Sequence, residues 1–598
     1  MALAGCGQRG KDTIRRVEDD RTLTAAEYTL LNLAGTDALG REITPKSEKK
    51  SGERYVGIFY SLWLGQHQYM QSAIFDINKL LSTEEGAAAL ASLEDNAMSR
   101  MGEFHFCGEP LFGYYNMRDP WVLMRHMEML TMASIDYLAI DATNASFYPE
   151  VCYELFDVLN ALQAQGFSPP KIMFYTNSYS GTTVKKIYNE FFRTEKYDNL
   201  WFSPNGKPLL AGITENNRQA SDQTKFPDIY GDSATDFIPK EVRDRFDIVE
   251  SQWPNGDLND ASIPWMSWNY PQVVHSESGA ISVSVAQHSP SRIHYSYQDP
   301  QSSRGFNYKT GQVEEDWQAG KNFENQWETV FTNEANVRNV LVTGWNEWMA
   351  VKQPDGNFCD VYTSEYSRDI EPDNGAYGDN FYLQLIRNLR EYKYSEAKHY
   401  KYQKMSVDLS SESSLTQWDY VKAHYLDIAG DAISRNYENA VGSEVYTDFS
   451  NRNDISEIKV VHDSQKIYFY VKTKEAVTEH EAGDTGWMNV LLSTNKSEDG
   501  KDFCGYDYVI NRNPEGAKTS IERSKGGYAW ERVGDAEYRV YGNVLLLAVP
   551  LQLLGLSTDE CSIRFKVTDN VKEPENIMSY YQSGDSAPIG RLSYVYGY

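Results

Sequence analysis

The chain has 598 residues, 41% of them apolar and 13% aromatic, which is ample to bury large cores and excludes wholesale disorder. Its net charge of −28 repels phosphate backbones, which argues against nucleic acid as a partner and against a heavily sulfated or polyuronate substrate. No apolar run reaches the roughly 18 residues of a membrane-spanning helix. The 42 Tyr and 13 Trp serve equally well as core for large domains and as platforms on which sugar rings stack their C–H faces.

In the first residues, Leu3-Ala4-Gly5-Cys6 resembles a bacterial lipobox. The basic and apolar parts of a signal peptide do not precede it, so the start reads as trimmed. Cys6 is then the expected lipid anchor and the only link to a membrane. The protein is expected to be an exported lipoprotein of the outer membrane, with residues 1–50 as N-terminus and tether. The other cysteines, Cys107, Cys152, Cys359, Cys504 and Cys561, are scattered without any CxxC or Cys/His spacing. They read as mostly buried free thiols, with one disulfide left open, and not as a zinc site.

Short buried strands followed by amphipathic helices then alternate. Strands are expected at 55–62, 135–141, 171–177, 209–213, 247–252, 265–268, 281–287 and 340–345. Helices are expected from Asp119-Pro120 to about 133 and near 148–166, 182–192, 322–337 and 378–391; Asp caps the first and Pro suits its first turn. Eight strand–helix units predict an α/β fold, a closed (β/α)₈ barrel over residues 51–398. A doubly wound sheet would place a Gly-rich turn after its first strand, where this chain has Tyr60-Ser61-Leu62-Trp63. Beyond 398 the pattern changes to alternation, as at 457–461, 466–472, 544–549 and 562–567. This predicts an antiparallel β-sandwich over 399–598.

In such a barrel the reacting groups come from the C-terminal ends of the strands. Glu347, in Gly344-Trp345-Asn346-Glu347-Trp348, is the first candidate: indoles desolvate a carboxyl and wall a sugar site. Its alternative is a buried Glu paired with an Arg. Asp141, at the end of the second strand, is either a second acid or the cap of the next turn. Glu371, in Tyr366-Ser367-Arg368-Asp369-Ile370-Glu371-Pro372, either joins the site or forms a loop-holding network with Arg368 and Asp369. Trp345, Asn346, Trp348, Trp63, Glu109, Trp253, Trp268, Tyr270 and His288 are candidate substrate contacts, and His105, Tyr115, Glu250 and Gln287 weaker ones. HExxH, GxSxG and GxxxxGK[ST] do not occur, and no ligand spacing marks a metal or other cofactor. Paired carboxyls with aromatics fit glycosidic cleavage, in which one protonates the leaving oxygen and the other attacks or activates water. The expected partner is an oligo- or polysaccharide. The alternatives are a glycan-binding lipoprotein without turnover, and a lyase on the same scaffold.

The run Gly344–Trp348, with Ile370-Glu371-Pro372 after it, resembles the family 99 glycoside hydrolases, endo-acting α-mannosidases, and the related family 71-like proteins, over roughly residues 50–395. The resemblance implies a (β/α)₈ barrel, a retaining attack, and Glu347 as one catalytic carboxyl. The family pattern continues to a second glutamate three residues on, where this chain has Ala350. Asp141, Glu371 or Glu109 would then take that role. The C-terminal region resembles the family 9 carbohydrate-binding module fold at Trp418 with Asp427 and Asp431, Asn453-Asp454-Ile455, Trp487-Met488 and the stretch from Gly505 to Arg512. There Trp487, Tyr506 and Trp530 are either sugar contacts or sandwich packing.

Overall fold

A computed structural model describes residues 14–216, 235–252, 259–287, 297, 299–358, 361–496 and 500–598. Eight strands form one parallel sheet: β1 (Tyr55–Tyr60), β2 (Tyr137–Ala142), β3 (Lys171–Thr176), β4 (Leu209–Gly212), β5 (Asp247–Gln252), β6 (Ser262–Pro264), β7 (Ala280–Ser284) and β8 (Asn339–Thr343). Their order is β6-β5-β4-β3-β2-β1-β8-β7, and β6 and β7 pack against each other across the remaining seam. The result is the expected barrel, closed in all but that ladder. The flanking helices are α1 (Pro120–Met132), α2 (Pro149–Ala164), α3 (Ser180–Ile187), α4 (Lys321–Thr332) and α5 (Asn380–Lys393). The Asp119 side chain caps α1 by accepting the Trp121 N–H at 3.0 Å. Only β6 departs clearly from expectation. It ends just before Trp265 and Trp268, which lie in the loop beyond it.

Alternation along each strand sorts the side chains. Phe59, Ala139, Met173, Tyr175, Ala211 and Leu341 form one buried cluster with Trp265 and Met266, which fills the barrel interior. Their neighbours Ile58, Tyr60, Leu138, Ile140 and Phe174 join the larger cluster with the helices. Gly57 is required at its position: a Cβ there would sit 2.1 Å from the Tyr137 ring, whose hydroxyl crosses to Asn339 Oδ1 at 2.8 Å.

The C-terminal half supplies eleven strands, and the N-terminal segment two, of a thirteen-stranded antiparallel sheet that folds over on itself. Tyr425, near one end of the strand order, meets Phe565 and Tyr594, near the other, at ring-centroid distances of 5.3 and 4.9 Å. This is the expected sandwich.

The N-terminal segment corrects the expectation of a tether to residue 50. A helix at Ala25–Leu31 carries a Thr24/Glu27 capping box, and the strand Leu33–Thr36 pairs antiparallel with Ser593–Tyr596. Arg390 of α5 fixes this segment by donating to the carbonyls of Leu30, Leu31, Leu33 and Thr44 at 2.6–3.4 Å. Hydrophobic pairing across such a sequence separation leaves no local signal. Cys107, Cys152 and Cys561 are buried free thiols and Cys504 an exposed one; Cys6 and Cys359 lie outside the described residues. No helix among the described residues is long and apolar enough to cross a membrane.

Candidate active site

The turn after β8 is built by backbone and side-chain bonds to its neighbours. Asn346 mimics a strand partner: its Oδ1 accepts the Ser61 N–H at 2.9 Å and its amide donates to the Ser61 carbonyl at 3.0 Å. Trp348 takes a left-handed backbone, φ 53°, with its N–H on Asp369 Oδ1 at 3.1 Å and its Nε1–H on Glu371 Oε2 at 2.6 Å. The reversal at Trp348 buries Trp345, Asn346 and Trp348 and leaves Glu347 as the one side chain of this turn that reaches solvent, with 20% exposure. Arg368, itself fully buried, pairs with Glu347 Oε2, and its guanidinium lies 5.2 Å from the Trp265 ring at the top of the interior cluster. The Trp63 Nε1–H donates to the Glu347 carbonyl at 2.9 Å. Glu347 therefore combines both expectations: it is paired with an Arg, and it faces the barrel mouth.

Asp141 has the same inward parity as Ala139 and ends β2 half-buried at the same face. Its Oδ1 accepts the Thr143 N–H at 2.9 Å and the Thr143 hydroxyl at 2.7 Å, so it also caps the next turn. Strands β8 and β2 flank β1, which separates the backbones carrying Glu347 and Asp141 by two strand spacings, about 10 Å. Between them lies a shelf from the loops after β1 and β2. His67 Nε2 bonds the Tyr148 hydroxyl at 2.7 Å, its Nδ1 bonds the Tyr69 hydroxyl at 3.0 Å, and its ring stands edge-on to half-buried Trp63. Burial lowers the His67 pKa, which favours the neutral ring; burial, and then Asp141, push the Tyr148 phenol up. Tyr69 is 79% exposed. The sequence reading missed His67, Tyr69 and Tyr148. The available signal was the density of rings directly after the first two strand ends.

Other expected contacts fall elsewhere. Trp345 and Trp348 are wholly buried, so neither walls a sugar ring; Trp345 stands edge-on to His126 at 5.6 Å and to Tyr382 at 6.0 Å. Glu371 is fully enclosed and accepts from Trp348, from the Tyr115 hydroxyl at 2.7 Å and from His126 Nε2 at 2.8 Å. It belongs to the loop-holding network, and Tyr115 with it. Glu109 is committed to Lys79 at 2.5 Å and to the Asn374 amide at 3.2 Å. Glu250 is buried against Thr214. Tyr270 has one face covered by Tyr308 at 4.2 Å, and Trp268 is half-buried at the edge of the interior cluster. Gln287 is buried and donates to the Ser267 carbonyl at 2.8 Å. Trp253 and His288 lie outside the described residues.

The chain is similar in structure to a family 99 glycoside hydrolase. Two structures of the endo-α-mannosidase of that family from Bacteroides thetaiotaomicron, one in complex with bis-tris-propane, match it at 14% identity. They cover 57% and 56% of this chain and 98% and 97% of their own, with TM-scores of 0.32 and 0.34. No protein-family model matches the chain, and no curated protein does.

Ala350, at the third position after Glu347, is buried and pairs with His105 in a two-stranded antiparallel sheet of Phe104–Phe106 and Met349–Val351. His105 is scaffold: it stacks on Phe75 at 4.8 Å and bonds Ser99 Oγ at 2.9 Å. Burial pushes its pKa down to about 4. An unfolded His takes up its proton near pH 6.5, so the stabilisation is complete above that pH and is lost as pH falls towards 4. The loss is expected to reach about 3 kcal/mol. Urea midpoints measured from pH 7 to 4 check this, and His105→Asn should flatten the slope over that window.

In the C-terminal domain, Trp487 and Tyr506 are buried, bonding the Thr478 carbonyl at 3.0 Å and Ser593 Oγ at 2.6 Å, and Trp530 packs edge-on against Tyr528. These aromatics therefore pack the sandwich. Among the described residues one group, Asp427, Asp431 and Asp585, has the spacing of metal ligands, and it lies in this domain.

Proposed function

We propose that the barrel is a glycoside hydrolase acting on an oligo- or polysaccharide, with Glu347 and Asp141 as its carboxyl pair. The observation that carries this reading is Glu347: in a turn whose other side chains are buried, its carboxylate alone reaches the barrel mouth. As half of an ion pair with Arg368, Glu347 suits the anionic role, attack on the anomeric carbon or activation of water. Asp141, which ends β2 half-buried on the same face, is then the second carboxyl, for proton delivery to the leaving oxygen. Trp63, Tyr69 and Tyr148 supply apolar faces and hydroxyls for a sugar chain laid across the loops after β1 and β2. The Leu3–Cys6 run supports export as an outer-membrane lipoprotein anchored through Cys6.

Ala350 and the enclosure of Glu371 favour a second reading, glycan binding without turnover, because neither position supplies another acid at the mouth. An oligosaccharide panel scored for new reducing ends and, in parallel, for heat of binding separates the two. Product release supports the hydrolase. Binding without product from any bound glycan overturns it.

A further inference from the structure

We propose that Asp427, Asp431 and Asp585 hold one calcium ion that fastens the barrel to the C-terminal sandwich. One carboxylate oxygen from each lies within 4.8 Å of the others, and all three side chains are at least 98% buried. Oxygens around one Ca²⁺ at 2.3–2.6 Å are at most about 5 Å apart, so the spacing allows a shared ion.

Each carboxylate is held from behind. Asp427 Oδ1 accepts the Tyr594 hydroxyl at 3.2 Å, Asp431 Oδ2 accepts Arg125 at 3.2 Å, and Asp585 Oδ2 accepts the Ile455 N–H at 2.5 Å. The opposite oxygens of Asp427 (Oδ2) and Asp585 (Oδ1) are buried and have no hydrogen-bond partner, while the carboxyls of Asp431 and Glu128 lie within hydrogen-bonding reach of each other. Two buried acceptors without donors, beside two carboxyls in mutual contact, are costly unless a cation meets them. One oxygen fixed by a protein donor and one left bare is the arrangement by which outer partners orient metal ligands.

The charges point the same way. Asp427, Asp431, Asp585, Glu128 and Asp454 act on one another, and the cations set among them are Arg125 and Lys566, with Lys474 3.8 Å from Asp454 at the rim. One divalent ion offsets most of the excess negative charge. Oxygen-only carboxylate donors select a hard cation, and a buried site of irregular geometry suits Ca²⁺. Arg125 and Glu128 sit on α1, and the three aspartates sit in the C-terminal domain, so the ion would lie at their junction.

The full chain, purified without chelator, is expected to contain about one calcium per molecule by elemental analysis, and EDTA followed by desalting should lower its Tm by about 5 °C or more. Ca²⁺ alone should restore the Tm. Asp431→Asn and Asp585→Asn should bind no calcium and show a Tm indifferent to EDTA. Should these variants fail to fold, the wild-type metal content and its reversible Tm shift decide. The proposal is overturned by a chain that holds no calcium and whose Tm ignores both EDTA and millimolar Ca²⁺. It is equally overturned by folded variants that keep the wild-type calcium content and response.

Discussion

Replacing Glu347 with glutamine is expected to lower kcat by roughly 10²–10⁴-fold, the contribution of a positioned acid, base or nucleophile, while the chain stays folded. Glutamine keeps the length and one acceptor of glutamate but carries no charge, so it neither attacks an anomeric carbon nor takes a proton from water. Its structural cost is limited for a local reason. Glu347 is partly exposed, and the buried Arg368 that it leaves behind still feels the carboxyl of Asp369. A loss of about 1–2 kcal/mol is therefore expected, below that for breaking a fully buried pair. Glu347→Asp, which withdraws the carboxyl by one methylene, is expected to fall between wild type and Glu347→Gln. Initial rates on the glycan that the panel identifies, with circular dichroism on the same samples, check this. Full activity in Glu347→Gln would remove Glu347 from the chemistry.

The sequence exposes what repeats locally. The β-strands and helices of the barrel recur as apolar runs of the right length with caps such as Asp119, and the C-terminal alternation marks a two-sided sheet. It also marks which strand ends carry acids. It does not mark where a turn sends its side chains. The burial of Trp345 and Trp348 and the exposure of Glu347 follow from the left-handed backbone at Trp348 and from the Asn346–Ser61 bonds, and the latter span much of the chain. The same holds for Leu33–Thr36, whose partner strand is at the opposite terminus, and for Asp585, which meets Asp427 and Asp431 only after the sandwich closes. Glu371 shows the limit most clearly. Its neighbours Arg368 and Asp369 made a site and a network equally plausible, and only tertiary contacts separate the two.

Glu371→Ala is expected to cost about 3–5 kcal/mol of stability, through the buried donors that it leaves unanswered. The carboxylate accepts from Trp348 Nε1, the Tyr115 hydroxyl and His126 Nε2 in the absence of solvent, and Tyr60 completes the chain by bonding His126 Nδ1 at 2.9 Å. Burial, then the charge of Glu371, raise the Tyr60 and Tyr115 phenols well above their usual range, so both remain donors. Removing the carboxylate leaves three buried donors unanswered at about 1–3 kcal/mol each, reduced where the cavity admits water. Glu371→Gln keeps one acceptor but turns an amide N–H₂ toward a donor, so an intermediate loss of about 2 kcal/mol is expected. Since Trp348 sets the turn that presents Glu347, both variants should also lose activity in step with the folded fraction. Urea unfolding and rates normalised to folded protein distinguish this from chemistry. A Glu371→Gln enzyme of wild-type stability with kcat reduced a thousandfold would make Glu371 a reacting group after all.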